Sequence, residues 1–456
     1  MFPLLGSAAA WDTLVTMNTR DDNQERRAVR TVSTRLVDGG LLELVYQAET
    51  KTTAFAIYRK GVISIESSLK IDDGHTLVPI PAGNNLIHHE ALLLPEKPES
   101  FGTVVELVKD IQAYIARYLD LTDQFRQIAS YYVILTWVYD AFNELPYLRF
   151  RGGYGSGKTR ALTIIGSLCY KAFMAGGAST VSPIFHTLDT FQGTLVLDEA
   201  DFRFSDATAE LVKIFNNGNI RGFPVLRTAI TVKHDFDPRA FTVFGPKIVA
   251  MRGSFEDQAL ESRFLTEEMG QRSLRKDIPL NLPDEQKEKA RALRNKLLMY
   301  RFEKLGAIKV DESLVDPELS PRLNQILVPL LSVIDDEALR NELCATVRSL
   351  DRALAAERGN TLEADMLQVL AGLMAVDTSR KNVPVAEITA GFSKQFGNDY
   401  PRPITHRYVG EIIRKRLRLI TYKSHGVYVV PMSEKDKVDH LCIRYGITER
   451  DQEESG

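Results

Sequence analysis

Cysteine is scarce in this chain, with three residues in 456, at Cys169, Cys344 and Cys442. They are scattered, with no C-x-x-C pair and no histidine at ligand spacing. That argues against a disulfide framework or a structural zinc and suits a reducing, cytoplasmic compartment. Long hydrophobic runs are missing too: nothing approaches the ~18 apolar residues of a membrane span, so no membrane partner is expected. The opening MFPLLGSAAAW has neither a basic flank nor a clear cleavage pattern and does not read as a secretory signal. Charge of one sign is not in large excess, because 57 Lys and Arg against 60 Asp and Glu leave a formal net charge of −3. A surface coated in positive charge is excluded, and any nucleic-acid contact must come from a local basic patch or channel. No internal repeat is evident. What remains is an ordinary globular composition, 44% hydrophobic and 26% charged, in a chain long enough for roughly two to four domains.

One stretch carries clear chemistry: RGGYGSGKTR, residues 151–160. Gly152, four residues, then Gly157-Lys158-Thr159 fits G-x-x-x-x-G-K-[ST], between the apolar run LPYLRF and the helical ALTIIGSLCYKAF. That is the strand–loop–helix setting in which glycines turn backbone N–H groups inward around phosphates. Gly152, Gly155, Ser156 and Gly157 are the expected cradle, Lys158 reaches the β- and γ-phosphates, and the Thr159 hydroxyl holds Mg²⁺. An ordinary glycine-rich turn is the alternative. Against it, a short apolar strand, TLVL, ends in Asp198-Glu199 forty residues after Lys158. A carboxylate at a strand end beside such a loop orients Mg²⁺, the role expected of Asp198, and Glu199 is placed to polarise an attacking water. ATP and Mg²⁺ are the expected cofactors.

Around this centre the chain reads as multidomain α/β. Residues 1–98 form an N-terminal β-rich domain with a loose start, and 99–144 two amphipathic helices serving as a collar. Residues 145–270 form the ATPase core, 271–378 a helical lid, and 379–446 a C-terminal unit, followed by a loose acidic tail, 447–456. The C-terminal unit runs helix, Pro-rich turn, helix, strand pair, the winged-helix pattern. Between 400 and 425 stand seven cations (Arg402, Arg407, Arg414, Lys415, Arg416, Arg418, Lys423) and one acid, Glu411. Phosphate contacts need such a local surplus, so Arg407, Arg414, Lys415, Arg416 and Lys423 are candidate DNA contacts. A solvated helix serving a lid or partner is the alternative.

Between the Asp198 strand and the lid, RTAITVKH and AFTVFG read as a hairpin with DFDPR at its tip, followed by a buried strand PKIVAM ending at Arg252. Here the sequence resembles the ring-forming AAA+ helicases that carry a hairpin before the fourth core strand. These are the superfamily 3 replicative helicases of small DNA viruses and the MCM-like helicases of phages and mobile elements. The likeness covers roughly 100 to 330 and is most specific at KHDFDPRAFTVFGPKIVAM and the following ESRF. It implies that Lys233 and His234, with Arg239 nearby, grip DNA in a central channel. It also implies that Arg263 reaches across a subunit boundary to a neighbour's γ-phosphate. A solvated hairpin tip and a core-edge salt bridge are the plain alternatives. Members usually carry Asn where this chain has Arg252, which puts that residue's sensor role in doubt. No room exists for the MCM-type insertion in the second core helix. Arg322, opening a helix, is the candidate lid sensor, with an ordinary helix-starting arginine as its rival.

The resemblance implies an ATP-driven ring helicase, a homo-oligomer and expected hexamer, unwinding DNA for a phage or mobile element. A winged-helix initiator that uses ATP as a switch for origin binding is the alternative.

Overall fold

The computed structural model describes residues 28–71, 75–198, 206–230, 236–255, 257–271, 275–359, 362–377, 379–396 and 405–447. They divide into two compact units. One contains the described residues up to Asp316 together with Pro321–Arg340; the other contains Pro317–Ser320 and the chain from Asn341 onward. No break between units falls near residue 98, and the break at 341 lies inside the stretch expected to be a single lid.

The first unit opens with β1 (Ala28–Thr31), β2 (Ser33–Arg35), β3 (Leu41–Gln47), β4 (Thr52–Arg59), β5 (Val62–Glu66), β6 (Leu69–Lys70) and β7 (Thr76–Pro79), then a short α1 (Asn85–His88). Strands β2 to β5 form an antiparallel meander, and β1, β7 and β6 a second small sheet. Lys60 and Gly61, both at positive φ, make the two-residue turn between β4 and β5; such turns match the twist of the flanking strands. Strand β3 does not alternate: Leu41 to Val45 are all buried. Leu42, Leu44, Phe55 and Ile57 share one core with Phe173, Leu195 and Leu197 of the following sheet.

A buried ionic cluster joins the same parts. Glu43 on β3 receives Lys171 Nζ at 3.1 Å, Arg301 Nε at 2.7 Å and the Tyr170 hydroxyl at 2.7 Å. Arg301 also forks onto both oxygens of Asp140, at 2.7 and 2.9 Å. Each buried charge is paired, the condition under which burial is tolerated.

The helices α2 (Val104–Tyr118) and α3 (Asp123–Trp137) lead to the central sheet. A Thr103–Glu106 capping box starts α2, and the Thr122 hydroxyl accepts from Phe125 N to start α3, each satisfying backbone donors left over at a helix end. Then follow β8 (Tyr147–Arg151), α4 (Lys158–Gly166), β9 (Phe173–Ala175), α5 (Val181–Phe191), β10 (Leu195–Leu197), α6 (Asp206–Gly218), β11 (Val225–Ile230), β12 (Phe236–Phe241), β13 (Lys247–Met251), α7 (Gln258–Glu261) and β14 (Phe264–Glu268). The sheet order is β14-β8-β13-β10-β9, with every pairing parallel. Short, wholly buried strands such as LVL and KIVAM are what a parallel sheet covered on both faces requires. Strands β11 and β12 form a separate hairpin. Helices α8 (Glu285–Lys304) and α9 (Pro321–Leu331) follow, α8 packing on α2 and α3.

Helix α10 (Glu337–Gly359) crosses the boundary between units. The second unit then contains α11 (Leu362–Val376), β15 (Asn382–Pro384), α12 (Val385–Gln395), α13 (His406–Glu411), β16 (Tyr422–Ser424), β17 (Val427–Pro431) and α14 (Lys435–Tyr445). Strand β17 lies between β15 and β16 in an antiparallel sheet, and Met366, Leu370, Ile388, Val409, Ile413 and Val430 belong to its core. Among the described residues no helix is long and apolar enough to cross a membrane.

Candidate functional site

The glycine-rich loop leaves the carboxyl end of β8 and enters α4. Gly155 and Gly157 stand at φ +71° and +92°, a region costly for any residue with a Cβ. Gly152 needs its missing side chain for another reason: a Cβ there would come within 2.6 Å of the Met269 carbonyl oxygen. Lys158 Nζ donates to the Gly152 and Gly153 carbonyls, both at 2.7 Å, and Ser156 Oγ donates to Gly153 O at 2.9 Å. The Thr159 hydroxyl donates to Asp198 Oδ2 at 2.7 Å. Residues predicted from two separate stretches of sequence are thus brought into direct contact.

These groups fit a magnesium-bound triphosphate. Backbone N–H groups at the start of α4, two left-handed glycines and a lysine ammonium make an anion cradle. A hydroxyl and a carboxylate close enough to share a proton can both turn to a hard cation. Glu199 lies outside the described residues. Arg252 follows directly on β13, whose Met251 pairs with Arg151, so it stands level with Gly152 at the carboxyl edge, and its side chain is exposed.

Arg263 and Arg322 stand elsewhere. Phe264 pairs with Tyr147 at the first residue of β8, so Arg263 is at the amino end of the sheet. With a rise of about 3.3 Å per residue, Arg263 and its own Gly152 are about 20 Å apart along the strand. Its side chain is buried, Nη1 donating to Asn216 Oδ1 and, at 3.4 Å, to Phe215 O. Asn216 in turn donates to Asp257 Oδ2 at 2.9 Å. Burial, and then the charge of Arg322, hold the Arg263 guanidinium below its usual pKa. Arg322, the second residue of α9, is half-buried, and its charge reaches Arg263.

The hairpin also departs from expectation. Ile230 pairs with Phe236, and the segment FDPRAF is the second strand rather than the tip. Pro238 is tolerated there because a two-stranded ribbon leaves one backbone edge of each strand unpaired. Lys233 and His234 lie outside the described residues. Arg239 is opposite Arg227 on the ribbon and half-buried, its guanidinium 5.1 Å from the Phe241 ring centroid. The base of the ribbon is pinned by Lys247, whose buried Nζ donates to Gly218, Val243 and Gly245 carbonyls at 2.9 to 3.1 Å. Burial holds that amine well below its usual pKa.

In the C-terminal unit Arg407, Arg414, Lys415, Arg416 and Lys423 are all exposed. Lys415 pairs with Glu411, and Arg416 with Glu363 at 2.5 Å. The three consecutive cations fall on a π-helical turn, Ile412–Arg416, after the single turn and a half of α13.

Sequence reading passed over Arg149. This buried β8 residue forks onto both oxygens of Glu261 at 2.6 Å and reaches Thr266 Oγ1 at 3.0 Å. It ties the strand that carries the loop to the segment that carries Arg263. A signal was there: an arginine inside an apolar strand requires a partner. Arg160, on the first turn of α4, donates to the Pro279 carbonyl at 2.7 Å and so fastens the loop helix to the chain after β14.

No protein-family model matches the sequence, and no curated protein matches it. Solved structures overlap it loosely. The apo C-terminal region of NrS-1 is 12% identical, with 86% of this chain and 96% of that one covered, at a TM-score of 0.34. The SCCmec type IV Cch helicase is 10% identical over 90% and 80%, at 0.42. An inhibitor-bound JCV helicase is 15% identical over 55% and 61%, at 0.23.

Proposed function

We propose that this protein is an ATP-driven DNA helicase or translocase of the AAA+ type that works as a ring of identical subunits, in the service of a phage or mobile element. The supporting observation is the separation of its two charged halves. The loop with Lys158, Thr159 and Asp198 ends one side of the parallel sheet, and Arg263, with Arg322 beside it, ends the other. A single chain cannot bring them together, whereas adjacent copies placed head to tail can.

In this reading the loop amides and Lys158 bind the β- and γ-phosphates, and Thr159 and Asp198 hold Mg²⁺. Cleavage of the bound ATP supplies the free energy of the cycle. Glu199 orients the attacking water, and Arg263 of one subunit stabilises charge at the next subunit's γ-phosphate, an effect worth roughly 10³ to 10⁵ in rate in other phosphoryl-transfer enzymes. Arg322 travels with Arg263 and serves the same neighbouring pocket. Lys233 and His234 hold the DNA backbone. The C-terminal unit, helix followed by helix and hairpin, acts as a winged helix on DNA. Arg263 must leave Asn216 when the ring assembles. That in-subunit burial favours one rival, an initiator that binds ATP as a switch and needs no arginine from a neighbour.

A forked DNA substrate tests the proposal. With ATP and Mg²⁺ the wild-type chain is expected to displace one strand, and Lys158→Ala to displace none while folding normally. Binding of the fork without displacement, at any ATP concentration, would support the switch instead.

A further inference from the structure

The exposed cations of the C-terminal unit are not equivalent. Glu411 and Glu363 already neutralise Lys415 and Arg416. Arg414 forms no ion pair among the described residues. Its Nε donates to the Gly410 carbonyl at 3.1 Å, and its guanidinium carbon lies 5.7 Å from the centroid of the Tyr428 ring. Tyr428 is on β17 and 53% exposed, although the next two residues, Val429 and Val430, are buried. Directly across the ribbon is Lys423, also exposed. His425 and Gly426, at φ +47° and +88°, close the ribbon in a two-residue turn, a geometry that fixes the register of both strands. One face of this hairpin, with Arg414 from the preceding helical turn, therefore presents a flat aromatic ring flanked by two cations that form no ion pair among the described residues.

We propose that this face, formed by Arg414, Lys423 and Tyr428, is a binding site for single-stranded DNA, with an unpaired base stacked on Tyr428 and its flanking phosphates on Arg414 and Lys423. Aromatic side chains bind single strands because every base has a π-face. In a duplex those faces are covered by neighbouring base pairs, so a rigid surface tyrosine selects unpaired bases. A guanidinium beside the ring adds cation–π attraction. The helix that precedes the hairpin is the weaker phosphate contact, because two of its cations are satisfied within the chain. The site rests on the reading of this protein as one that acts on DNA, but not on its being a motor.

The test uses the full-length chain, without nucleotide, and a short oligothymidylate carrying 5-iododeoxyuridine. After irradiation and trypsin digestion, the crosslink is expected on the peptide Ser424–Lys435, whose only aromatic ring besides His425 is Tyr428. Tyr428→Phe keeps the crosslink. Tyr428→Ala loses it and weakens single-strand binding by roughly tenfold. The proposal is overturned if the crosslinks fall elsewhere, if Tyr428→Ala binds as wild type does, or if a blunt duplex competes as well as the single strand. ATP turnover is measured separately on the same samples, so loss of the crosslink leaves the ATPase reading intact, and loss of turnover leaves this site intact.

Discussion

The carboxyl ends of β8 and β10 carry glycines, small hydroxyls, Asp198 and a lysine whose only described partners belong to its own loop. At the amino end of β14 it holds an arginine packed against α6, donating to Asn216, beside a second arginine. The first end is open and suited to anions; the second is closed and cationic. The difference teaches that each lacks what the other offers. The strut between them, Arg149 on Glu261, couples two sites that cannot touch each other.

Breaking the strut should have the largest effect on the fold. Arg149→Met leaves Glu261 unpaired at a largely buried position, and loss of one partner of a buried pair costs about 3–5 kcal/mol. Denaturant unfolding should show that loss, and Arg149→Met combined with Glu261→Leu should recover most of it while ATP turnover stays low. Recovery of turnover as well would make the strut purely structural.

Releasing the closed end sharpens the comparison at smaller cost. Asn216→Ala removes the side-chain acceptor of Arg263 and should lower the stability of the free chain by about 1.5–3 kcal/mol, the range for hydrogen bonds to charged groups. If Arg263 works only after leaving Asn216, turnover at high protein concentration should be undiminished. A parallel fall in turnover would assign Arg263 to the subunit that carries it.

The smallest effect concerns the buried cluster away from both ends. Burial brings the Lys171 amine down to about 8 from its usual 10.5. Between those values the unfolded chain binds the extra proton, so stability should rise with pH from about 8 toward 9.5, by at most about 2 kcal/mol. Below pH 8 this group contributes no slope. Unfolding curves of wild type and Lys171→Met at pH 7.5 and 9.5 measure it, and an identical rise in both would remove Lys171 as the source.

Local chemistry was legible where residues act close to their own sequence neighbours. The loop from Gly152 to Thr159 announces its turn and its helix, and Asp198 ends an apolar strand, so their contact was foreseeable. Helix, helix and hairpin in the C-terminal unit followed from periodicity and from the His425-Gly426 turn. Packing at long range was not legible. Nothing in β3 shows that Glu43 will meet Lys171 and Arg301, and the apolar pattern of 28–94 is the same for a free sheet as for one sharing the central core. The hairpin tip was misplaced because Pro238 and Asp237 resemble turn residues, while strand pairing puts them in β12.

The account stands on subunits completing one another's pockets, and mixing two inactive proteins tests this most directly. Arg263→Ala keeps the loop and Glu199, and Glu199→Gln keeps Arg263. Each alone should turn over ATP about 10³-fold or more below wild type. Mixed, they should regain a substantial part of the rate, with a maximum near equal proportions. Turnover that stays at the sum of the two separate proteins at every ratio would contradict the account.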